Sequence, residues 1–118
     1  MYEYKCEVER VIDGDTVVLN VDLGFGLSKE VHTRLLNVYA PKANTPEGKE
    51  ATEKLIELLN NEEAGPARFG DLRVKFIKRR SFYRYIGTIY YGDDNINEEM
   101  NDWFMKEEQE THTGFDTL

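Results

Sequence analysis

Asp13 and Asp15 flank a glycine in "IDGDT", Arg34 opens "RLLNVYAPK", and Arg84 follows two aromatics in "SFYRYIG". Carboxylates and guanidiniums of this kind suit phosphoryl chemistry. In-line attack of water on a phosphodiester builds negative charge on the equatorial oxygens, and cations placed around them stabilise that charge. Two arginines and a metal would suffice, and a further carboxylate near the attacking water would orient it or accept its proton. The stretch from Arg34 to Lys42 contains no acid. The next one along the chain is Glu47, in "NTPEG", which could swing towards such a site or simply serve the first turn of a helix. Asp13 is equally suited to holding a tight turn.

A second set of residues suits phosphate contact without chemistry. Arg73, Lys75, Lys78, Arg79 and Arg80 lie in a basic stretch interleaved with Phe76, Phe82, Tyr83 and Tyr85, a pattern that fits phosphate binding and base stacking and equally a solvated cationic strand face. The net charge of -8 does not exclude that partner, because the excess is confined to one end. Residues 93–118 hold nine acids and the single base Lys106, leaving 14 of each sign in residues 1–92. The acidic end could itself engage a basic partner surface.

At 118 residues and 40% hydrophobic, the chain is expected to form one domain around one core. The single cysteine, Cys6, excludes an internal disulfide and falls on the apolar side of an alternating segment. No apolar run approaches membrane-spanning length, and the charged start "MYEYKCEVER" has no signal-peptide core, so a cytoplasmic protein without a membrane partner is expected. His32 and His112 have no partner pattern and read as surface residues.

Hydrophobic periodicity orders the elements. Tyr2, Tyr4, Cys6 and Val8 alternate with charged residues as in a half-buried strand, and "TVVLNVDL" and "EVHTRLLNV" follow as two more. "TPEGKEATEKLIELL" predicts a helix, with Thr45 as cap, Pro46 in the first turn and Glu47 and Glu50 at the positive end of the dipole. Two further strands, "DLRVKFIKR" and "YRYIGTIYY", precede a second helix carrying Ile96, Met100, Trp103 and Phe104, for which Asn97 is placed to act as N-cap. The order βββ-α-ββ-α predicts a mainly β, five-stranded OB-fold barrel over residues 1–109. Residues 110–118 show no period and read as a flexible acidic tail.

Four separated blocks, "RVIDGDTVVL", "RLLNVYAP", "GKEA" and the arginine of "FYRYIGTIYYGDDNINEEM", resemble the staphylococcal nuclease (thermonuclease) family, in that family's order, from about Glu7 to about Phe104. The resemblance implies an OB-fold enzyme that uses calcium to hydrolyse phosphodiester bonds in DNA and RNA. Asp15 matches a metal-ligand position, and Arg34 and Arg84 match the two arginines that clamp the phosphate. The family's run after the first arginine carries an aspartate that binds metal and, three residues on, a glutamate that assists the attacking water; here Tyr39 and Lys42 stand at those positions. A lysine beside two arginines and a phosphate stays protonated and is no base. The resemblance with both acids replaced implies a catalytically degenerate domain that binds single-stranded DNA, RNA or a protein without efficient cleavage, and without a cofactor. Its alternatives are an active calcium-dependent nuclease using Asp15, Arg34, Arg84 and a substitute acid such as Glu47, and an acidic protein-binding module.

Overall fold

Alternating side chains along the first dozen residues give one face to a core and the other to solvent, and the same pattern recurs four more times. The computed structural model describes the backbone of residues 2–61, 65–66, 72–81 and 84–116, and the side chains of residues 3–60, 72–77 and 85–107. Its elements run β1 (Tyr2–Asp13), β2 (Thr16–Gly24), β3 (Leu27–Leu35), α1 (Pro46–Leu59), β4 (Asn60–Asn61), β5 (Gly65–Pro66), β6 (Leu72–Ser81), β7 (Arg84–Tyr91), β8 (Asp94–Asn95) and α2 (Ile96–Asp116). The pieces β4, β5 and β8 are two residues each. The five long strands and two helices keep the expected order βββ-α-ββ-α.

The long strands close on themselves. β1 pairs antiparallel with both β2 and β6, β2 with β3, and β6 with β7. A short parallel ladder, Thr33 with Tyr85, Arg34 with Ile86 and Leu35 with Gly87, joins β3 to β7 and completes a mixed, OB-like barrel. β1 serves two neighbours because its register shifts between Val8 and Arg10 and again before Asp13, and each shift bends the strand around the barrel. Cys6, Val17, Leu19, Val31, Leu35, Val74 and Ile89 point inward from all five strands. Burial, and after it the Glu7 carboxylate, pushes the Cys6 thiol up to about 12, so it behaves as a small core hydrophobe.

α1 begins as its sequence predicts. Thr45 Oγ1 accepts from the Gly48 N–H (3.0 Å) and donates to the Lys42 carbonyl (2.7 Å), and Pro46 opens the first turn. Gly48, Ala51, Leu55 and Leu59 form the buried stripe. Gly48 is required by contact rather than by backbone angle: a Cβ there would lie 1.7 Å from the carbonyl oxygen of Lys42. The loop carrying Pro41 and Lys42 therefore rests directly on the helix backbone.

α2 corrects one expectation. Asn95 is its cap, its Oδ1 accepting from the Glu98 N–H at 3.0 Å, while Asn97 is buried within the first turn. The helical backbone runs to Asp116 and so includes residues 110–116 of the acidic C-terminal segment. Extending an existing helix adds a hydrogen bond for each residue ordered, and Glu107, Glu108, Gln109 and Glu110 are good formers, so the weak residues after them are carried along. Among the described residues, no helix is long and apolar enough to cross a membrane.

Candidate functional site

The turn between β1 and β2 brings the first acids together. Asp13 Oδ1 accepts from the Asp15 N–H (3.1 Å), which fixes the tight loop around Gly14. Leu35 N–H donates to the Asp15 carbonyl (2.8 Å), tying the turn to the end of β3. Asp15 is thereby held beside Arg34, one residue earlier on that strand.

Both of its carboxylate oxygens accept hydrogen bonds from the protein. Oδ1 accepts from the Thr16 hydroxyl (2.9 Å), and Oδ2 accepts from the Ala40 N–H (3.0 Å) and lies 3.5 Å from Arg34 Nη2. Burial alone would raise the Asp15 carboxyl, but the hydrogen bonds from Asp13, Ala40 and Thr16 and the charge of Arg34 outweigh it and hold it below the usual range. Asp13 moves the other way: burial, then the shared hydrogen bond and the nearby charge of Asp15, raise it. The two carboxyls thus titrate as a split pair.

The signs give a pH prediction. Asp15, with its pKa depressed, contributes stability that is present above its unfolded value and is lost as pH falls through its folded value. Asp13, with its pKa raised, binds a proton more readily when folded, so its ionisation costs stability as pH rises from the unfolded to the folded value. Asp13→Asn, whose amide can accept from the Asp15 N–H and donate to its carboxylate, is expected to raise the melting temperature at pH 7 and to change it little near pH 3. Thermal unfolding at the two pH values checks this, and an equal or larger gain in acid would contradict it.

A pocket of about 530 Å³ opens over this pair, lined by Asp13, Asp15, Thr16, Arg34, Lys42 and Asn44 among others. The Arg34 guanidinium also lies over the Tyr39 ring, 5.6 Å from its centroid, and Tyr39 is 74% exposed. The pocket therefore offers one half-exposed guanidinium and one exposed ammonium, with an exposed aromatic ring adjoining the guanidinium. Compared with protein-family models and with curated proteins, this chain matches none.

The calcium implied by the resemblance can be tested against these donors. Calcium takes six to eight oxygens, carboxylates among them. Tyr39 stands in place of a second carboxylate and projects outward, and among the described residues no three His, Cys, Asp or Glu side chains are grouped to hold a metal ion. The described donor set does not fit. Glu47, the candidate substitute acid, lines a separate groove with Tyr39, Pro41, Glu50, Trp103 and Phe104.

The remaining candidates divide by what the structure describes. Arg73 and Lys75 lie on the outer face of β6, beside Tyr90 of β7, whose ring centroid is 6.0 Å from the Arg73 guanidinium carbon and 5.1 Å from Lys75 Nζ. Arg73 is also held by Glu3 (2.8 Å) and donates to the Gly92 carbonyl (3.3 Å). Lys78, Arg79 and Arg80 lie on the β6 backbone and Arg84 opens β7 paired with Ser81, but their side chains fall outside the described residues. His32 is exposed on β3, as expected, and the His112 side chain also falls outside the described residues. Sequence reasoning gave Asn97 the role of a cap and missed its buried hydrogen bonds. Its Oδ1 accepts from the Ile89 N–H (3.1 Å), and its Nδ2 donates to the carbonyls of Leu36 (3.0 Å) and Gly87 (3.1 Å). It joins α2 and β7 to the chain leaving β3, just behind the loop that carries Tyr39.

Proposed function

We propose that this barrel is a catalytically degenerate relative of the thermonuclease type that binds single-stranded nucleic acid without cutting it. The observation that carries the reading is the Asp15 pocket, where Arg34 and Lys42 line the wall and the exposed Tyr39 ring lies against the Arg34 guanidinium just outside it. Cations that meet phosphates beside an aromatic face that stacks on a base are the parts a sequence-tolerant single-strand site needs. Arg73, Lys75 and Tyr90 repeat the combination on the neighbouring strands, where β7 runs from its pairing with Arg34 up to Tyr90. The alternative of an active calcium enzyme is weakened by the position of Glu47 in a different groove.

A salt titration of a fluorescein-labelled single-stranded DNA tests the binding. Dissociation constants on the order of 10⁻⁴ to 10⁻⁶ M are expected, with affinity falling steeply as salt rises. Arg34→Ala with Lys42→Ala should flatten the log–log slope by roughly 1.4, since each phosphate contact on a single strand contributes about 0.7. An unchanged slope, or no binding at low salt, would sink the reading. Denatured DNA and RNA incubated with calcium should remain intact, and cutting that a chelator abolishes would restore the enzyme alternative.

A further inference from the structure

The groove that holds Glu47 has a chemistry of its own. It lies between the start of α1, the loop of residues 37–41 and the outer side of α2, and has a volume of about 460 Å³. Tyr39, Trp103 and Phe104 supply its aromatic walls, with the Trp103 and Phe104 rings tilted at 60° and 5.1 Å apart. Glu47, Glu50 and Glu107 supply its carboxylates. Neither Glu47 nor Glu50 is in an ion pair among the described residues, and both are exposed. Lys49, the nearest base in sequence, forms no ion pair with either among the described residues, and Lys42 lines the other pocket.

The groove is a built feature of the fold. Asn101 Nδ2 donates to the Asn37 carbonyl (3.1 Å), pinning α2 to the loop, and Asn37 accepts a left-handed backbone, φ 61°, to make the turn. Gly48 lets that loop sit down on α1. Met100 on the inner side of α2 is fully buried, which fixes the rotation that turns Trp103 outward.

We infer that this groove receives a lysine or arginine side chain from a basic peptide segment of another protein. Charge complementarity selects the occupant: an aromatic trough rimmed by carboxylates attracts a cation through the ring quadrupoles and through the charges, and rejects phosphate and carboxylate. The surroundings act in the same sense. α2 carries Glu98, Glu99 and Asp102 in its first two turns, within a C-terminal segment of nine acids and one base, so a basic segment is steered towards this side of the barrel. The inference does not depend on nucleic-acid binding, whose pocket is lined by Arg34 and Lys42 and not by these residues.

Trp103 is the only tryptophan in the chain, so its emission reports the groove directly. Titrating the full chain with a tetra-arginine peptide is expected to change that emission saturably, and a tetra-glutamate peptide should leave it unchanged. Glu47→Gln with Glu50→Gln, shown by circular dichroism to be folded, should weaken arginine-peptide binding about tenfold, the scale expected when two exposed charge contacts are lost. Calorimetry on the same proteins supplies a readout independent of the fluorophore. Equal affinity in the double variant, or binding seen by calorimetry with no change at Trp103, would overturn the inference. So would a change in Trp103 emission that follows protein concentration without peptide, since the occupant would then be a second copy of the chain.

Discussion

Gly48→Ala is expected to destabilise the protein by about 3 kcal/mol, within the upper range for overpacking a filled site, and to lower the melting temperature by roughly 10 °C. Helix propensity alone predicts the opposite, because alanine in a helix is about 1 kcal/mol better than glycine. The structure reverses the sign. A methyl group at residue 48 would meet the Lys42 carbonyl oxygen at 1.7 Å, its carbonyl carbon at 2.4 Å and the Pro41 carbonyl oxygen at 2.9 Å, all of them backbone atoms that cannot rotate away. The loop is held where it is, with the Thr45 hydroxyl donating to that same Lys42 carbonyl and Ala40 donating to Asp15. Thermal unfolding decides the matter, and a rise in melting temperature would show that the loop does not rest on the helix.

Asn97→Leu should cost about 3–5 kcal/mol, because the buried side chain makes three hydrogen bonds and each partner left unsatisfied costs about 1–3 kcal/mol. The Ile89 N–H and the Leu36 carbonyl would be orphaned together, while the Gly87 carbonyl would keep the Leu36 N–H at 2.8 Å. Asn97→Asp separates this from a packing effect: it keeps the acceptor for Ile89 but points a negative charge at two carbonyls. Its damage should be severe at neutral pH and milder in acid, where the protonated carboxyl regains one donor. Denaturant unfolding of both variants at pH 7 and pH 4.5 measures the difference. A leucine variant as stable as wild type would mean that these backbone groups find other partners.

What could be read from the sequence was what depends on neighbours in sequence. Alternation from Tyr2 to Val8, the Thr45 cap, and the stripe through Ala51, Leu55 and Leu59 all follow from periods of two or 3.6 residues, and the barrel follows from their order. The pairing of Asp15 with Arg34 was legible as a candidate because two short motifs named both residues, and they lie 3.5 Å apart. Contacts made across the fold were not legible. Asn97 sits where an N-cap belongs by spacing, and only docking of α2 against β7 turns its amide inward. Glu47 is near Lys42 in sequence, yet α1 seats itself on Gly48 in a rotation that sends the two side chains to different pockets.

The parallel ladder that seals the barrel also bears on how the chain folds. β1, β2 and β3 join through tight turns and can pair as soon as they meet, whereas Thr33 must find Tyr85, some fifty positions along the chain, with α1 in between. Closing so long a loop costs entropy before any contact returns it, which makes this the slow kind of encounter in a domain of mixed topology. Until it forms, the edges of β3 and β7 stay unpaired, and an unpaired edge is a template for another chain. Arg34 on one edge and the "RYIG" run on the other would then face solvent, so aggregation during refolding should originate at the seam where the binding rim is finally assembled.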